Sequence, residues 1–268
     1  MGVTLALFDG DPVAYRGASL RRGGGYVMSS PWLLNPWLLT GGPDPVALIP
    51  TLRSALTLQV SLLGPGDCRR LESTVVALRD RWRNPELGLA TLGSPVYRNG
   101  ESLERYFSHA AEDNPMLRAH FWWAYARVFT ALECLLPVPL SLLPSLALPG
   151  FHILDTSRGF DGGGFHRDGG HLALGLGSRL EVADNVSFTL PVRLPCAAGV
   201  DIAISPASGA AGPNAVPESR RFAFRTGDLH LFSGDRLHQI APCPPAPGLR
   251  LTLQGHVVPL GHRAVVFW

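Results

Sequence analysis

The chain has 268 residues, of which 46% are hydrophobic and 16% charged, and a formal net charge of +2. That length suits one large domain, and the small net charge without a long basic run points away from nucleic-acid binding. All 23 basic residues are arginine, so chemistry that needs a lysine, such as a Schiff base or a phosphate-loop lysine, is excluded.

The four cysteines, Cys68, Cys134, Cys196 and Cys243, are widely spaced with no C-x-x-C pair. This spacing predicts neither a disulfide framework nor a zinc ribbon. The first seven residues lack the basic start and long apolar core of a secretory signal. Residues 132–154 are apolar, but Pro137, Pro139, Pro144 and Pro149 interrupt them. They are expected to cross the core rather than a membrane. A reduced, soluble, cytoplasmic protein is the expectation.

Residues 1–45 are rich in Gly, Pro and Trp and show little periodicity. Phe8-Asp9-Gly10-Asp11 lacks the rest of a calcium loop and reads as a turn. Residues 56–63 read as a strand, followed by a Gly64-Pro65-Gly66 turn. A helix is then expected with Asp67 as its N-cap. Cys68, Leu71, Val75, Leu78 and Trp82 form its buried stripe, and Asn84-Pro85 ends it. A short helix over 101–112 comes next. A longer one follows, capped by Asn114 with Pro115 at its first position. Its buried face carries Leu117, Phe121, Tyr125, Val128, Leu132 and Leu135. Trp122 and Trp123 cannot both lie on that face, and packing is the expected role of each.

From Pro149 helical spacing disappears. Short β-like runs recur at 151–154, 164–168, 186–194, 200–205, 221–225, 229–232, 237–241 and 250–258, with an edge strand at 263–268. Turn-rich loops separate them, notably 205–217 and 242–248. The expected fold class is α+β, mainly β: a double-stranded β-helix (jelly roll) with supporting N-terminal helices. Residues 1–148 would form the supporting segment and 149–268 the core, as one integrated domain.

The segment Gly164-Phe165-His166-Arg167-Asp168-Gly169-Gly170 offers an imidazole and a carboxylate two residues apart. In extended backbone both share a face and Arg167 takes the other. A third ligand must come from elsewhere. His171 and His230 compete for that place. His238 is preferred, because a Gly-Asp turn, an apolar strand and a second turn lead to it. Two histidines and one carboxylate on one face of a metal make the facial triad of non-haem Fe(II) oxygenases. After His238 comes Arg250-Leu251-Thr252. Arg250 and Thr252 share a strand face, and a guanidinium fork with a hydroxyl suits a carboxylate in a dry pocket. The bland alternatives are a chance H-x-D triplet and a surface arginine.

His166-x-Asp168, His238 and Arg250-x-Thr252, in this order and spacing, resemble the iron(II)/2-oxoglutarate-dependent dioxygenases over roughly residues 149–258. The resemblance implies Fe(II) held by His166, Asp168 and His238. It implies 2-oxoglutarate with its far carboxylate on Arg250 and Thr252, and O2 as oxidant. The reaction implied is oxidative decarboxylation of 2-oxoglutarate to succinate and CO2, coupled to C–H oxidation of a small molecule. Bacterial tailoring of amino acids or natural products is one such setting. Members that halogenate carry a small residue at the carboxylate position, so Asp168 favours hydroxylation or desaturation. His152 and His256 are further candidates to line the site. Two other readings stay open: a cupin-like metalloenzyme that does not use 2-oxoglutarate, and a non-catalytic jelly-roll binding protein.

Overall fold

A computed structural model describes residues 5–8, 56–84, 88–99, 102–136, 138–176, 185–204, 218–260 and 262–268 of the chain. Asp9–Asp11, read above as part of a turn, the rest of the Gly-, Pro- and Trp-rich stretch from there to residue 45 and the 205–217 loop lie outside the described residues. The strands are β1 (Leu5–Phe8), β2 (Thr57–Ser61), β3 (Leu89–Leu92), β4 (Leu140–Leu142), β5 (Gly150–Asp155) and β6 (Val186–Arg193). They continue as β7 (Gly199–Ala203), β8 (Ser219–Ala223), β9 (Asp228–Ser233), β10 (His238–Ile240), β11 (Leu249–Leu260) and β12 (Arg263–Phe267).

The strands form two sheets. The larger runs β1-β2-β9-β6-β11-β12-β4, with β5 also against β11 and β3 outside β5; the smaller runs β10-β7-β8. The two sheets face each other as a jelly roll, with helices covering the outer face of the larger one. Side-chain alternation explains the layering. On β11, Leu251, Leu253 and Val257 join the core shared with the helices. Arg250, Gln254 and His256 point the other way and line a cavity between the sheets.

The first helix, α1 (Pro65–Ala77), starts one turn earlier than its sequence suggests. Gly64 is the N-cap and Pro65 takes the first turn, where its missing N–H costs nothing. Asp67 therefore lies inside the first turn, and its carboxylate pairs with Arg127. Cys68, Leu71 and Val75 are buried as the stripe predicts, and Leu78 and Trp82 pack against the same core.

The two helices expected over 101–135 are one, α2 (Leu103–Leu135), with Pro115 inside it. Proline in mid-helix removes one backbone hydrogen bond, and tertiary packing overrides that loss. Ser102 is the true N-cap, accepting from the Arg105 N–H at 3.3 Å. Asn114 caps nothing. Its amide donates to the Leu146 carbonyl and its oxygen accepts from the Leu148 N–H, both at 2.8 Å. Leu117, Phe121, Tyr125, Val128, Leu132 and Leu135 are all buried, as the spacing predicts. Trp122 and Trp123 pack beside the same core. Arg118 lies 4.8 Å over the first ring and Arg70 lies 4.4 Å over the second.

Three further expectations change. The run 164–168 is not a strand; it makes a single antiparallel bridge, His166 to His238. Residues 263–268 are not an edge, because β12 sits between β11 and β4 and is largely buried. Cys196 and Cys243 form a disulfide with Cα atoms 6.5 Å apart. The jelly roll brings the loops before β7 and β11 together, which spacing along the chain cannot reveal. The cysteines therefore no longer argue for a reduced compartment. No helix among the described residues is long and apolar enough to cross a membrane.

Gly150 starts β5 under the indole of Trp268. A Cβ there would lie 1.9 Å from Trp268 Cζ3 and 2.7 Å from the Leu92 carbonyl oxygen. Gly150→Ala should therefore cost about 1–3 kcal/mol through overpacking. Gly66→Ala, in open space on α1, should instead gain up to about 1 kcal/mol from helix propensity. Urea unfolding of the two variants checks both signs, and equal effects would contradict the packing argument.

Candidate metal centre

The glycine-rich stretch after β5 carries His166 and Asp168 across the mouth of the roll. Gly164 has φ +71°, a conformation that side chains disfavour. The turn there aims its carbonyl at the following histidine. His166 and His238 then exchange backbone hydrogen bonds in both directions at 2.9 Å. Asp168 is held by its own N–H on the Gly234 carbonyl at 2.8 Å and by Asn185 Nδ2 on its carbonyl at 2.6 Å.

These contacts bring His166, Asp168 and His238 together. One ligand-type atom from each lies within 4.8 Å of the others. His166 Nε2 is 3.7 Å from Asp168 Oδ1, and His238 Nε2 is 3.3 Å from Asp168 Oδ2. His166 Nδ1 is 2.9 Å from the Gly164 carbonyl, and His238 Nδ1 is 2.7 Å from the Arg236 carbonyl. A carbonyl can only accept, so each Nδ1 carries the proton and donates. In the neutral rings each Nε2 then turns an electron pair toward the carboxylate. Electron pairs facing each other this closely call for a shared cation, a proton or a metal ion. The Arg167 guanidinium binds Asp235.

Burial opposes the charge on Asp168. His256, His238 and the Ser187 hydroxyl outweigh it and hold the carboxyl far below its ordinary range. For His238, burial opposes protonation but Asp168 prevails and raises the pKa. Ser187 and the buried-site role of His256 carry no sequence motif. The signal available was alternation alone: Ser187 on β6 and His256 on β11 are paired in register.

Arg250 is 3% exposed, and its Nη1 has no hydrogen-bond partner among the described residues. Burial pulls its pKa down to about 10, so it stays a cation at neutral pH. The ring of Phe224 lies 5.6 Å beneath its guanidinium carbon. Arg250 shares a narrow cleft with Thr252, His152, Leu89, Leu154 and Ile240. Thr252 Oγ1 accepts from Gln254 Nε2 at 3.1 Å. The cleft adjoins a cavity of about 480 Å³ lined by His166, Asp168, His238, Arg250 and His256. His152 lines it too, hydrogen-bonded to the Tyr97 hydroxyl. Tyr97 sits in a short 3-10 turn whose sequence announces nothing.

His171 is buried in a one-turn helix (Gly170–Ala173) next to the triplet, outside the three-residue cluster. His230 faces Phe224, with ring centroids 4.7 Å apart, and is also outside it. Its Nε2 has no hydrogen-bond partner among the described residues. Burial pushes its pKa down from 6.5 to about 4, with Asp228 pulling the other way. The unfolded chain therefore takes up a proton near pH 6.5 that the folded chain accepts only near pH 4. Stability from this residue is complete above the first value and is lost as pH falls toward the second. Between these limits the wild type should lose unfolding free energy faster than His230→Leu. Parallel curves in pH-stepped urea titrations would contradict the assignment.

No protein-family model matches the chain, and no curated protein matches it significantly. Solved structures do. An N-substituted L-amino acid dioxygenase from Burkholderia ambifaria AMMD is 15% identical, with a TM-score of 0.56 over 100% of this chain and 98% of that one. The same dioxygenase in complex with α-ketoglutarate gives the same identity, 15%, TM-score, 0.56, and coverage, 100% and 98%. At that identity the likeness is one of fold: this chain shares the fold of that dioxygenase.

Proposed function

We propose that the protein is an Fe(II)/2-oxoglutarate-dependent oxygenase that oxidises a C–H bond of a small organic molecule. One observation carries the reading. Two imidazole nitrogens and a carboxylate converge in a cavity also lined by a buried guanidinium whose Nη1 has no hydrogen-bond partner among the described residues. An unpaired buried charge is costly, and an anion with a carboxylate at its far end would relieve it. The donor set also fits the ion, since two histidines and one carboxylate with open positions suit non-haem Fe(II).

His166, Asp168 and His238 would hold the metal. The two carbonyl-bound Nδ1–H groups fix both rings and keep their Nε2 atoms available. The low pKa of Asp168 keeps it an anion that balances the ion's charge. Arg250, with the Thr252 hydroxyl, would hold the 2-oxoglutarate carboxylate remote from the metal. With O2, the loaded metal and cosubstrate would supply the oxidising power. The chain's own part is ligation, orientation and exclusion of water. The volume of about 480 Å³ lies in the usual range for small-molecule sites. Its aromatic wall, with Tyr97, Phe160, Phe165 and Trp268, suits an organic substrate; amino acids and natural products are the classes to screen. A cupin that does not use 2-oxoglutarate leaves Arg250 without a purpose.

Anaerobic visible spectroscopy tests the reading. A weak charge-transfer band should appear only when both Fe(II) and 2-oxoglutarate are present. Asp168→Ala and His238→Ala should lose the metal, and His230→Ala should keep it. Arg250→Ala should bind Fe(II) normally yet need about 100-fold more 2-oxoglutarate, the loss expected from about 3 kcal/mol of charged hydrogen bonding. Stoichiometric iron in Asp168→Ala would sink the metal site, and an unchanged 2-oxoglutarate requirement in Arg250→Ala would sink the cosubstrate assignment.

A further inference from the structure

We infer that His256 is a positioning residue that acts through Ser187 to hold Asp168 in one orientation, so that the metal site exists before the metal arrives. The inference rests on the metal-site reading above. Ser187 Oγ hydrogen-bonds Asp168 Oδ2 and lies 3.1 Å from His256 Nδ1. His256 Nδ1 is itself 3.7 Å from the same carboxylate oxygen, beyond hydrogen-bond reach. The serine is therefore the bridge.

Proton accounting fixes the direction of the chain. An ionised carboxylate only accepts, so the single Ser187 proton goes to Asp168 Oδ2. The second contact of Ser187 Oγ must then be accepted, and His256 Nδ1 must carry a hydrogen and donate it. The opposite tautomer would set a nitrogen lone pair against the serine oxygen. His256 has little freedom to escape this. Its ring lies 5.3 Å from that of Phe267, and its residue is paired with Ser187 across β11 and β6. The result is a directed chain, His256 to Ser187 to Asp168. It leaves Asp168 Oδ1 with no hydrogen bond among the described residues, facing His166 Nε2 at 3.7 Å. Such outer contacts orient the ligands of metal sites and raise affinity.

The test is a titration of the metal-free protein with Co(II), reading affinity and the visible ligand-field bands, with thermal melts as a control for folding. Ser187→Ala and His256→Phe should each weaken Co(II) about 10–100-fold and alter the bands. His256→Asn, whose amide nitrogen can take the place of Nδ1, should bind close to the wild-type level. In the Ser187→Ala background, His256→Phe should cost little more, because the chain is already broken. His256→Phe with wild-type affinity and bands would overturn the inference, as would fully additive losses in the double variant. If Co(II) does not bind the wild type, or binds Asp168→Ala equally well, the metal-site reading falls and takes this inference with it.

Discussion

The site depends on one backbone pairing. His166 and His238 lie far apart in the chain, yet each gives its N–H to the other's carbonyl at 2.9 Å. That exchange fixes the separation of the two imidazoles, whose ring centroids are 4.5 Å apart. It is a main-chain constraint, so no side chain need be used to create it. The side chains are then free to be tuned: both Nδ1 atoms are turned to carbonyls, and both Nε2 atoms to Asp168. A one-residue slip in this pairing would send one ring to the opposite face. Gly164 at one end and the tight turn after β9 at the other keep that slip from occurring.

The Arg250 end of the cavity is built by a different principle. Arg250 is placed by strand alternation, and its environment is apolar, with Phe224 beneath it and Leu89, Leu154 and Ile240 beside it. Burial lowers its pKa only to about 10, so the charge persists. The fold tolerates this because β11 lies deep in the sheet, with β6 on one side and β5 and β12 on the other. The loop that delivers Arg250 is pinned as well. Thr156 Oγ1 donates within reach of the Ala246 and Gly248 carbonyls, each at 2.8 Å. Disulfide bonding of Cys243 to Cys196 ties the same loop to the entry of β7.

Much of this was legible in the chain, for physical reasons. Period-two alternation places Arg250 and Thr252 on one face, and the short runs after Pro149 locate nearly every strand of the roll. The H-x-D triplet and His238 meet as their types suggest, although the triplet is a bridged loop and not a strand. What escaped depends on long-range contact. Pro115 reads as a helix start because proline favours first turns; the buried face running through it overrides that preference. Cys196 and Cys243 look isolated because only the packing of two loops joins them. The last strand looks like an edge because its parallel pairing with the distant β4 leaves no mark in the sequence. Ser187 and Tyr97 sit in ordinary-looking segments and acquire significance only from what lies across the sheet.

The inner face of the larger sheet shows how such a site is maintained against stability. Ser187 and Thr189 on β6, and Arg250, Thr252, Gln254 and His256 on β11, are polar residues in a position where a jelly roll could bury aliphatic ones. Each costs free energy unless satisfied. Two of them are satisfied locally, Gln254 by Thr252 and Ser187 by Asp168 and His256, while Arg250 Nη1 has no hydrogen-bond partner among the described residues. The outer face carries no such debt: Leu251, Leu253, Phe188 and Leu190 pack with Phe121, Tyr125 and Val128 of α2. One strand therefore divides its residues by parity. Leu251, Leu253 and Val257 pack into the core shared with the helices, and Arg250, Gln254 and His256 line the cavity. A change of register would exchange the two, so the packing that stabilises the fold also enforces the geometry of the site.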